Sequence, residues 1–269
     1  MAGIGLFDSG VGGLTVARQL VKELPGVPLL YFADLRRQPY GPKPLDTIRG
    51  YALEITGFLE ARGADLVLMA CNTSTAAALA EARARHRIPV MGVIEPGSRH
   101  AARLTRNGRI GVIGTEGTTS ARAYTRAITA VKPEAQVWEQ PCPLYVSLVE
   151  KGEWDTPFTR EVTREYLQPL VKAGVDTLVL GCTHYPPLEG VIREVMGDGV
   201  ALVDPAEEAA REASRVLRVS SPQTLEAAAS GAGRAEHLFF VNGDPERFRR
   251  VGELVFGGPL AKIVPVYMA

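Results

Sequence analysis

Two cysteines close apolar runs of the same kind, and each leads into small polar residues. The runs are Ala64-Asp-Leu-Val-Leu-Met-Ala-Cys71-Asn-Thr-Ser and Val175-Asp-Thr-Leu-Val-Leu-Gly-Cys182-Thr-His-Tyr. A thiol at the end of a buried strand, just ahead of a helix start, lies where the helix dipole favours thiolate. Two such thiols on related half-chains can treat one carbon from both sides, one removing a proton while the other delivers one. A single cysteine usually packs as a small hydrophobe. The shared position of Cys71 and Cys182 argues instead for catalysis. Cys142, in Pro141-Cys-Pro143, has no matching partner and reads as packing.

Other polar residues gather at strand ends. Asp8 closes the first apolar run and precedes Ser9-Gly-Val-Gly-Gly13. The glycines allow tight turns whose N–H groups can cradle a carboxylate or phosphate. Asp8 can take a proton, hold an ammonium or, more blandly, cap a helix. His184 lies two residues after Cys182 and can serve that thiol as acid or base. Glu150, in Tyr145-Val-Ser-Leu-Val-Glu150, is either a site residue or a helix-end surface charge. His86, His100 and His237 have no such context and are expected at the surface. Asn72, Thr73, Thr115 and Thr183 share the strand-end location, where open parallel sheets bind ligands. The N–H and hydroxyl groups of Ser9, Asn72, Thr73 and Thr183 are candidate donors to a developing enediolate.

Two competing patterns fail. Gly10-Val-Gly12-Gly13, with Asp34 ending the second strand, mimics a dinucleotide turn, but a G-x-G-x-x-G needs glycine where Thr15 stands. Metal binding has no C-x-x-C, no H-E-x-x-H and no second histidine at ligand spacing. No metal or cofactor is expected.

The elements that must position these groups alternate short apolar runs with amphipathic stretches, the pattern of a parallel sheet flanked by helices. Strands are expected at 4–7, 29–33, 66–70, 90–93, 110–114, 136–139, 177–181, 201–203 and 238–241. Helices are expected at 14–23, 46–62, 75–85, 120–131, 158–173 and 206–217, among others. The chain carries a diverged internal repeat. Gly5-Leu-Phe-Asp8-Ser9-Gly10 answers Gly111-Val-Ile-Gly114-Thr115-Glu116, the Cys71 strand answers the Cys182 strand, and Pro89–Pro96 answers Val200–Pro205. The expected fold is therefore two similar parallel-sheet α/β domains related by a pseudo-twofold axis, with an active site in the cleft between them and the thiols on opposite walls. The first domain is expected to span 1–97 plus 211–269 and the second 98–210. The stretch after 237 has no repeat counterpart and is expected to extend one of the two sheets. Ala227–Gly233 reads as surface loop or loose helix.

At 269 residues, 46% hydrophobic and 22% charged, with a formal net charge of +0, the composition is that of a globular protein rather than a disordered one. Nothing favours a nucleic-acid surface or an anionic membrane, and no apolar run approaches membrane-spanning length. Three cysteines, an odd number, argue against a disulfide framework. The early strand leaves no room for a targeting peptide, so a cytoplasmic location with reduced thiols is expected.

These motifs together resemble the glutamate racemases of the cofactor-independent amino-acid racemase group. The motifs are Phe7-Asp-Ser-Gly-Val-Gly-Gly-Leu14, Pro39-Tyr-Gly41, Ala70-Cys-Asn-Thr73, Gly92-Val-Ile-Glu-Pro-Gly97, Ile110–Thr115, Cys142-Pro-Leu and Leu180-Gly-Cys-Thr-His-Tyr-Pro186. The resemblance fades after about residue 210. It implies that Cys71 and Cys182 are the acid/base thiols, Cys182 acting on L-glutamate and Cys71 on D-glutamate. It implies that Asp8 assists Cys71, and that Glu150 and His184 assist Cys182. Asp8, Ser9, Tyr40, Gly41, Asn72, Thr73, Thr115, Thr118, Thr183 and His184 would bind the amino acid. The implied role is D-glutamate supply for peptidoglycan, hence cell-wall biogenesis and cell shape, and the implied assembly is a homodimer. The chain departs from the family pattern at Ser74-Thr75-Ala76, at the prolines 42 and 44 around Lys43, and at Pro205 after Asp204. The alternatives are an aspartate racemase, a non-catalytic nucleotide- or amino-acid-binding protein, and a thiol redox protein joining Cys71 to Cys182.

Overall fold

The computed structural model describes residues 3–230 and 236–269. In chain order its elements are β1 (Gly3–Asp8), α1 (Leu14–Glu23), β2 (Leu29–Ala33), α2 (Leu45–Ala61), β3 (Ala64–Met69), α3 (Asn72–Arg85), β4 (Val90–Gly92) and α4 (Ile94–Leu104). Then come β5 (Arg109–Gly114), α5 (Glu116–Ser120), α6 (Ala123–Val131), β6 (Gln136–Pro141), α7 (Leu144–Glu150), α8 (Pro157–Ala173), β7 (Thr177–Gly181), α9 (Glu189–Met196) and β8 (Ala201–Val203). The chain closes with α10 (Pro205–Ser220), α11 (Pro222–Ala229), β9 (Leu238–Asn242), α12 (Pro245–Phe256) and β10 (Lys262–Val266).

Two all-parallel sheets result, ordered β10-β9-β2-β1-β3-β4 and β6-β5-β7-β8. The run β2-β1-β3-β4 in the first sheet has the same connectivity as β6-β5-β7-β8 in the second, so the repeat seen in the sequence is a repeat of sheet order. The unmatched C-terminal stretch extends the first sheet: β9 pairs with β2, and β10 with β9.

The sheet of the first unit is apolar on both faces. Ile4, Leu6, Leu29, Tyr31, Leu66, Leu68 and Phe239 join one buried cluster with residues of α1, α10 and α12. The alternating Phe7, Leu30, Phe32, Val67, Met69 and Phe240 join another with residues of α2 and α3. Period-two burial of this kind is what a parallel strand covered on both sides requires. In the second unit Ile113, Leu178 and Leu180 pack with α7, α8 and α9.

The chain divides into two compact units, Met1–Val93 with Ala206–Ala269, and Ile94–Pro205. The divisions fall a few residues before the 97 and 210 expected from the repeat. The reason is that α4, which follows β4, belongs wholly to the second unit, with Ile94, Pro96, Gly97, Ser98 and Ala101 buried. Likewise α10, which follows β8, buries Ala206, Ala209, Ala210, Ala213 and Leu217 in the core of the first unit. The chain thus changes unit directly at a strand end.

Other departures are local. The expected helix 120–131 begins later, as α6 at Ala123, because Arg122 adopts a left-handed conformation (φ 52°) after α5 ends at Ser120. The strand β10 has no sequence expectation behind it; Pro265 in its middle masks the pattern, yet Pro265 stands on an edge strand, where a missing N–H is tolerated. Of the expected loop 227–233, residues 227–229 end α11, while 231–233 lie outside the described residues. His86, His100 and His237 are half-buried rather than surface residues. His86 Nδ1 lies 2.6 Å from Glu60, and the Leu29 N–H donates to His237 Nδ1 at 3.2 Å. Among the described residues no helix is long and apolar enough to cross a membrane, and no group of three or more His, Cys, Asp or Glu is placed to hold a metal ion.

Candidate active site

In the first unit Cys71 is the N-cap of α3, with extended backbone at φ −67° and ψ 120°. It is 6% exposed, and α3 offers it the dipole end that favours an anion, an effect of about 0.3–1 kcal/mol at an open helix end. The turn is pinned behind the thiol. The Thr75 hydroxyl donates to the carbonyls of Met69 and Cys71 at 3.1 and 3.0 Å, and the Ala70 N–H donates to Phe7 O at 3.0 Å. Asn72 and Thr73, the first residues of α3, are 4% and 3% exposed.

Asp8 ends β1, one strand away from Cys71's strand. It is 1% exposed and does not cap α1, whose N-cap is Gly13; instead it accepts the Gly10 N–H at 3.1 Å, closing a turn around half-buried Ser9. The Tyr31 hydroxyl donates to Gly10 O at 2.7 Å, bracing the same turn from below. This phenol is pushed well above its ordinary range by burial, then by the charges of Asp8 and Cys71, and so acts only as a donor. Gly13 explains itself here: a Cβ would stand 2.5 Å from Asp8 Cβ and 2.8 Å from the Tyr31 oxygen.

Tyr40 joins Ile48, Cys71 and Ala77 in one buried cluster, with Gly41 beside it half-buried. Its hydroxyl donates to Asp34, so the phenol is held inside the protein. Burial and then Asp34 push it well up, with a smaller contribution from Cys71. Asp34, the residue that mimicked a ribose-binding acid, is 0% exposed and is spent on Arg37, Tyr40 and Asn242.

In the second unit Cys182 follows β7 and is 9% exposed. No α-helix begins at it, contrary to the sequence expectation. Proline at 186 and 187 sets a 3-10 turn over Pro186–Leu188, and α9 opens only at Glu189. Side chains approach the thiol instead. Cys182 Sγ lies 3.9 Å from His184 Nδ1, and His184 Nε2 lies 3.6 Å from a Glu150 carboxylate oxygen at the end of α7. His184 is 7% exposed. These three therefore form a graded file from buried thiol to part-exposed carboxylate.

Tyr185 fixes the geometry of that file. Its N–H donates to Cys182 O at 3.1 Å, its hydroxyl donates to Cys142 O at 3.2 Å, and its ring meets Tyr145 of α7 edge-on at 5.1 Å. Cys142 is 0% exposed, and burial pushes its thiol far up, so it packs as expected. Gly181 is required: a Cβ would sit 2.6 Å from Ile113 O and 3.2 Å from the Tyr124 ring. Thr115 caps α5, accepting the Thr118 N–H at 3.3 Å, with the two hydroxyls 3.1 Å apart. Thr183 is half-buried next to Cys182. All three cysteines are free thiols.

The sequence reading missed Tyr31, Tyr185, Asp34 and Asn242 as supports. Tyr185 lies within a quoted motif, but nothing in the sequence says where its hydroxyl goes.

Each parallel α/β unit sets a free thiol just past the carboxyl end of its third strand, Cys71 after β3 and Cys182 after β7. The model of the Asp/Glu/Hydantoin racemase family matches residues 4–213, and the chain belongs to that family. The chain is 48% identical over 263 residues to the glutamate racemase of Geobacter metallireducens, covering 98% of this chain and 96% of that one. Among solved structures, glutamate racemase isoform RacE1 of Bacillus anthracis superposes with a TM-score of 0.90 at 36% identity, covering 99% and 98% of the two chains. The Francisella tularensis glutamate racemase, solved in complex with D-glutamate, gives 0.90 at 32% identity, covering 98% and 97%.

Proposed function

We propose that this enzyme interconverts L- and D-glutamate by two-thiol acid/base transfer at the α-carbon. The observation that carries the reading is the pair of buried thiols at equivalent strand ends, Cys71 after β3 and Cys182 after β7, in a chain close to glutamate racemases over nearly its whole length.

The chemistry explains why two groups are used. The α C–H beside a carboxylate is very weakly acidic, and inversion needs removal from one face and delivery to the other. In the L-to-D direction Cys182 takes the α-proton as thiolate while Cys71 donates as thiol; the reverse reaction exchanges the roles. His184, 3.9 Å from the Cys182 sulfur, accepts or returns that thiol's proton, and Glu150 orients and balances the imidazole. Asp8 serves Cys71 in the same way and attracts the substrate ammonium. Hydroxyls and N–H groups of Ser9, Asn72, Thr73, Thr115, Thr118 and Thr183 bind the carboxylates and meet the developing enediolate, with the Tyr40-Gly41 loop closing the set. No cofactor is called on. The product would serve peptidoglycan synthesis in the cytoplasm, and the active species would be a homodimer.

The test is proton NMR of L-glutamate in D₂O with chelator and no added cofactor. The reading expects the α-proton signal to disappear as D-glutamate forms. Turnover of aspartate but not glutamate would replace the substrate, and no exchange with either would overturn the reading.

A further inference from the structure

The C-terminal addition around β9–β10 has no counterpart in the second sheet, yet it reaches the Cys71 side of the site, through Asn242 on Asp34 and through Met268 and Ala269 on Arg37, another Asp34 partner. Asn242, the last residue of β9, is 0% exposed. Its Oδ1 accepts the Met268 N–H at 3.1 Å, which fixes the amide so that Nδ2 faces Asp34 and donates to Oδ1 at 2.7 Å. Its own carbonyl accepts the Arg36 N–H at 2.7 Å. The other Asp34 oxygen accepts from Arg37 Nε at 2.7 Å and from the Tyr40 hydroxyl. Tyr40 in turn packs in the buried cluster that contains Cys71. Asp34 is thus held on three sides, and only Asn242 among its side-chain partners comes from outside the segment 34–40.

We propose that Asn242 is a positioning residue: by holding Asp34 in one orientation it fixes the Tyr40 ring against Cys71, and the added strands serve the first-unit half of the site. The proposal rests on Cys71 being one of the two acid/base thiols. A buried carboxylate with two donors on one oxygen and none on the other can rotate, and the Tyr40 hydroxyl follows it. Asn242 touches no substrate and moves no proton.

The experiment compares Asn242→Ala and Asn242→Asp with wild type by two readouts. The first is racemisation in both directions. Because enantiomers have equal free energy, kcat/KM must fall by one factor for L- and D-glutamate, and about tenfold is expected for loss of one buried partner of a carboxylate. The second is iodoacetamide labelling of Cys71 and Cys182 in the same molecule, resolved by peptide mass. Labelling of Cys71 should speed up several-fold while that of Cys182 stays at the wild-type rate. Tyr40→Phe, which removes the hydroxyl Asp34 holds, should make the further effect of Asn242→Ala vanish, and Lys262→Ala on β10 should change neither readout.

Equal acceleration at both thiols would reduce Asn242 to a general stability role and overturn the proposal. Unchanged Cys71 labelling, or additive effects with Tyr40→Phe, would overturn it too. Selective Cys71 labelling in a protein that does not racemise glutamate would uphold the positioning and fail the functional reading instead.

Discussion

Cys71 stands at the N-cap of the fourteen-residue α3 and beside a tyrosine fixed by a buried carboxylate. Cys182 stands at the equivalent strand end in the second sheet, but a 3-10 turn follows it, and a histidine and a glutamate are lined up on it. The repeat copied the strand that delivers the thiol and not its surroundings. Around Cys71 lie the start of α3 and, at the neighbouring strand end, Asp8; beside Cys182 lies a side-chain file. Even the residue ahead of each thiol differs: Ala70 fits where it is, whereas Gly181 has Ile113 O and the Tyr124 ring against the place of a Cβ. If both thiols carry the α-proton as proposed, equivalent chemistry on the two faces of a carbon does not need equivalent environments.

The largest expected effect tests what the halves share. Cys71→Ser and Cys182→Ser should each lower racemisation by about 10³-fold, within the range for removal of a general acid or base. Assayed by circular dichroism on each enantiomer, a variant of either cysteine that keeps wild-type turnover breaks the equivalence.

The next effects test the difference. His184→Asn should cost about 10²-fold and Glu150→Gln about tenfold, because Glu150 stands beyond His184 from the thiol. Both should depress kcat chiefly with L-glutamate as substrate, where Cys182 is the base, and leave iodoacetamide labelling at Cys71 unchanged. Equal slowing at both cysteines would mean that His184 holds the fold rather than one thiol.

Smaller effects concern support. Gly181→Ala should destabilise by about 1–3 kcal/mol, the cost of overpacking against backbone, whereas Ala70→Gly should cost only about 1 kcal/mol. Urea midpoints of the two variants order them directly. The smallest effect is electrostatic. Burial lowers the pKa of His237, whose Nδ1 accepts the Leu29 N–H. A histidine with a folded-state pKa below its unfolded value favours folding while neutral. That contribution is complete above the unfolded pKa near 6.5 and is lost as pH falls through the folded value. The thermal midpoint should therefore drop on acidification below about pH 6.5, and His237→Gln should flatten the drop.

Much of this was legible in the sequence. Apolar runs bounded by glycine and small polar residues mark strands covered on both faces, so β2, β7 and β8 were located at their observed ends, and the paired cysteines were visible because each closes such a run. Three kinds of feature were hidden. The unit in which a helix packs is a tertiary fact, so α4 and α10 changed unit a few residues earlier than the repeat suggested. The helix expected after Cys182 was replaced by a 3-10 turn because Pro186 and Pro187 interrupt the start, a local signal outweighed by the symmetry argument. The hydrogen bonds of Asp34, Tyr31, Tyr185 and Asn242 join residues distant in sequence or depend on side-chain direction, and no spacing encodes them. Asp34 was seen only as part of a failed dinucleotide pattern.

The central claim is that two groups, one on each face, carry the α-proton. The direct measurement is the isotope content of both enantiomers early in the conversion of L-glutamate in D₂O. The account predicts that the D-glutamate formed carries solvent deuterium at the α-carbon while the remaining L-glutamate keeps its protium. D-glutamate that retains the original α-proton would show that a single group removed and returned it, and would contradict the two-thiol account.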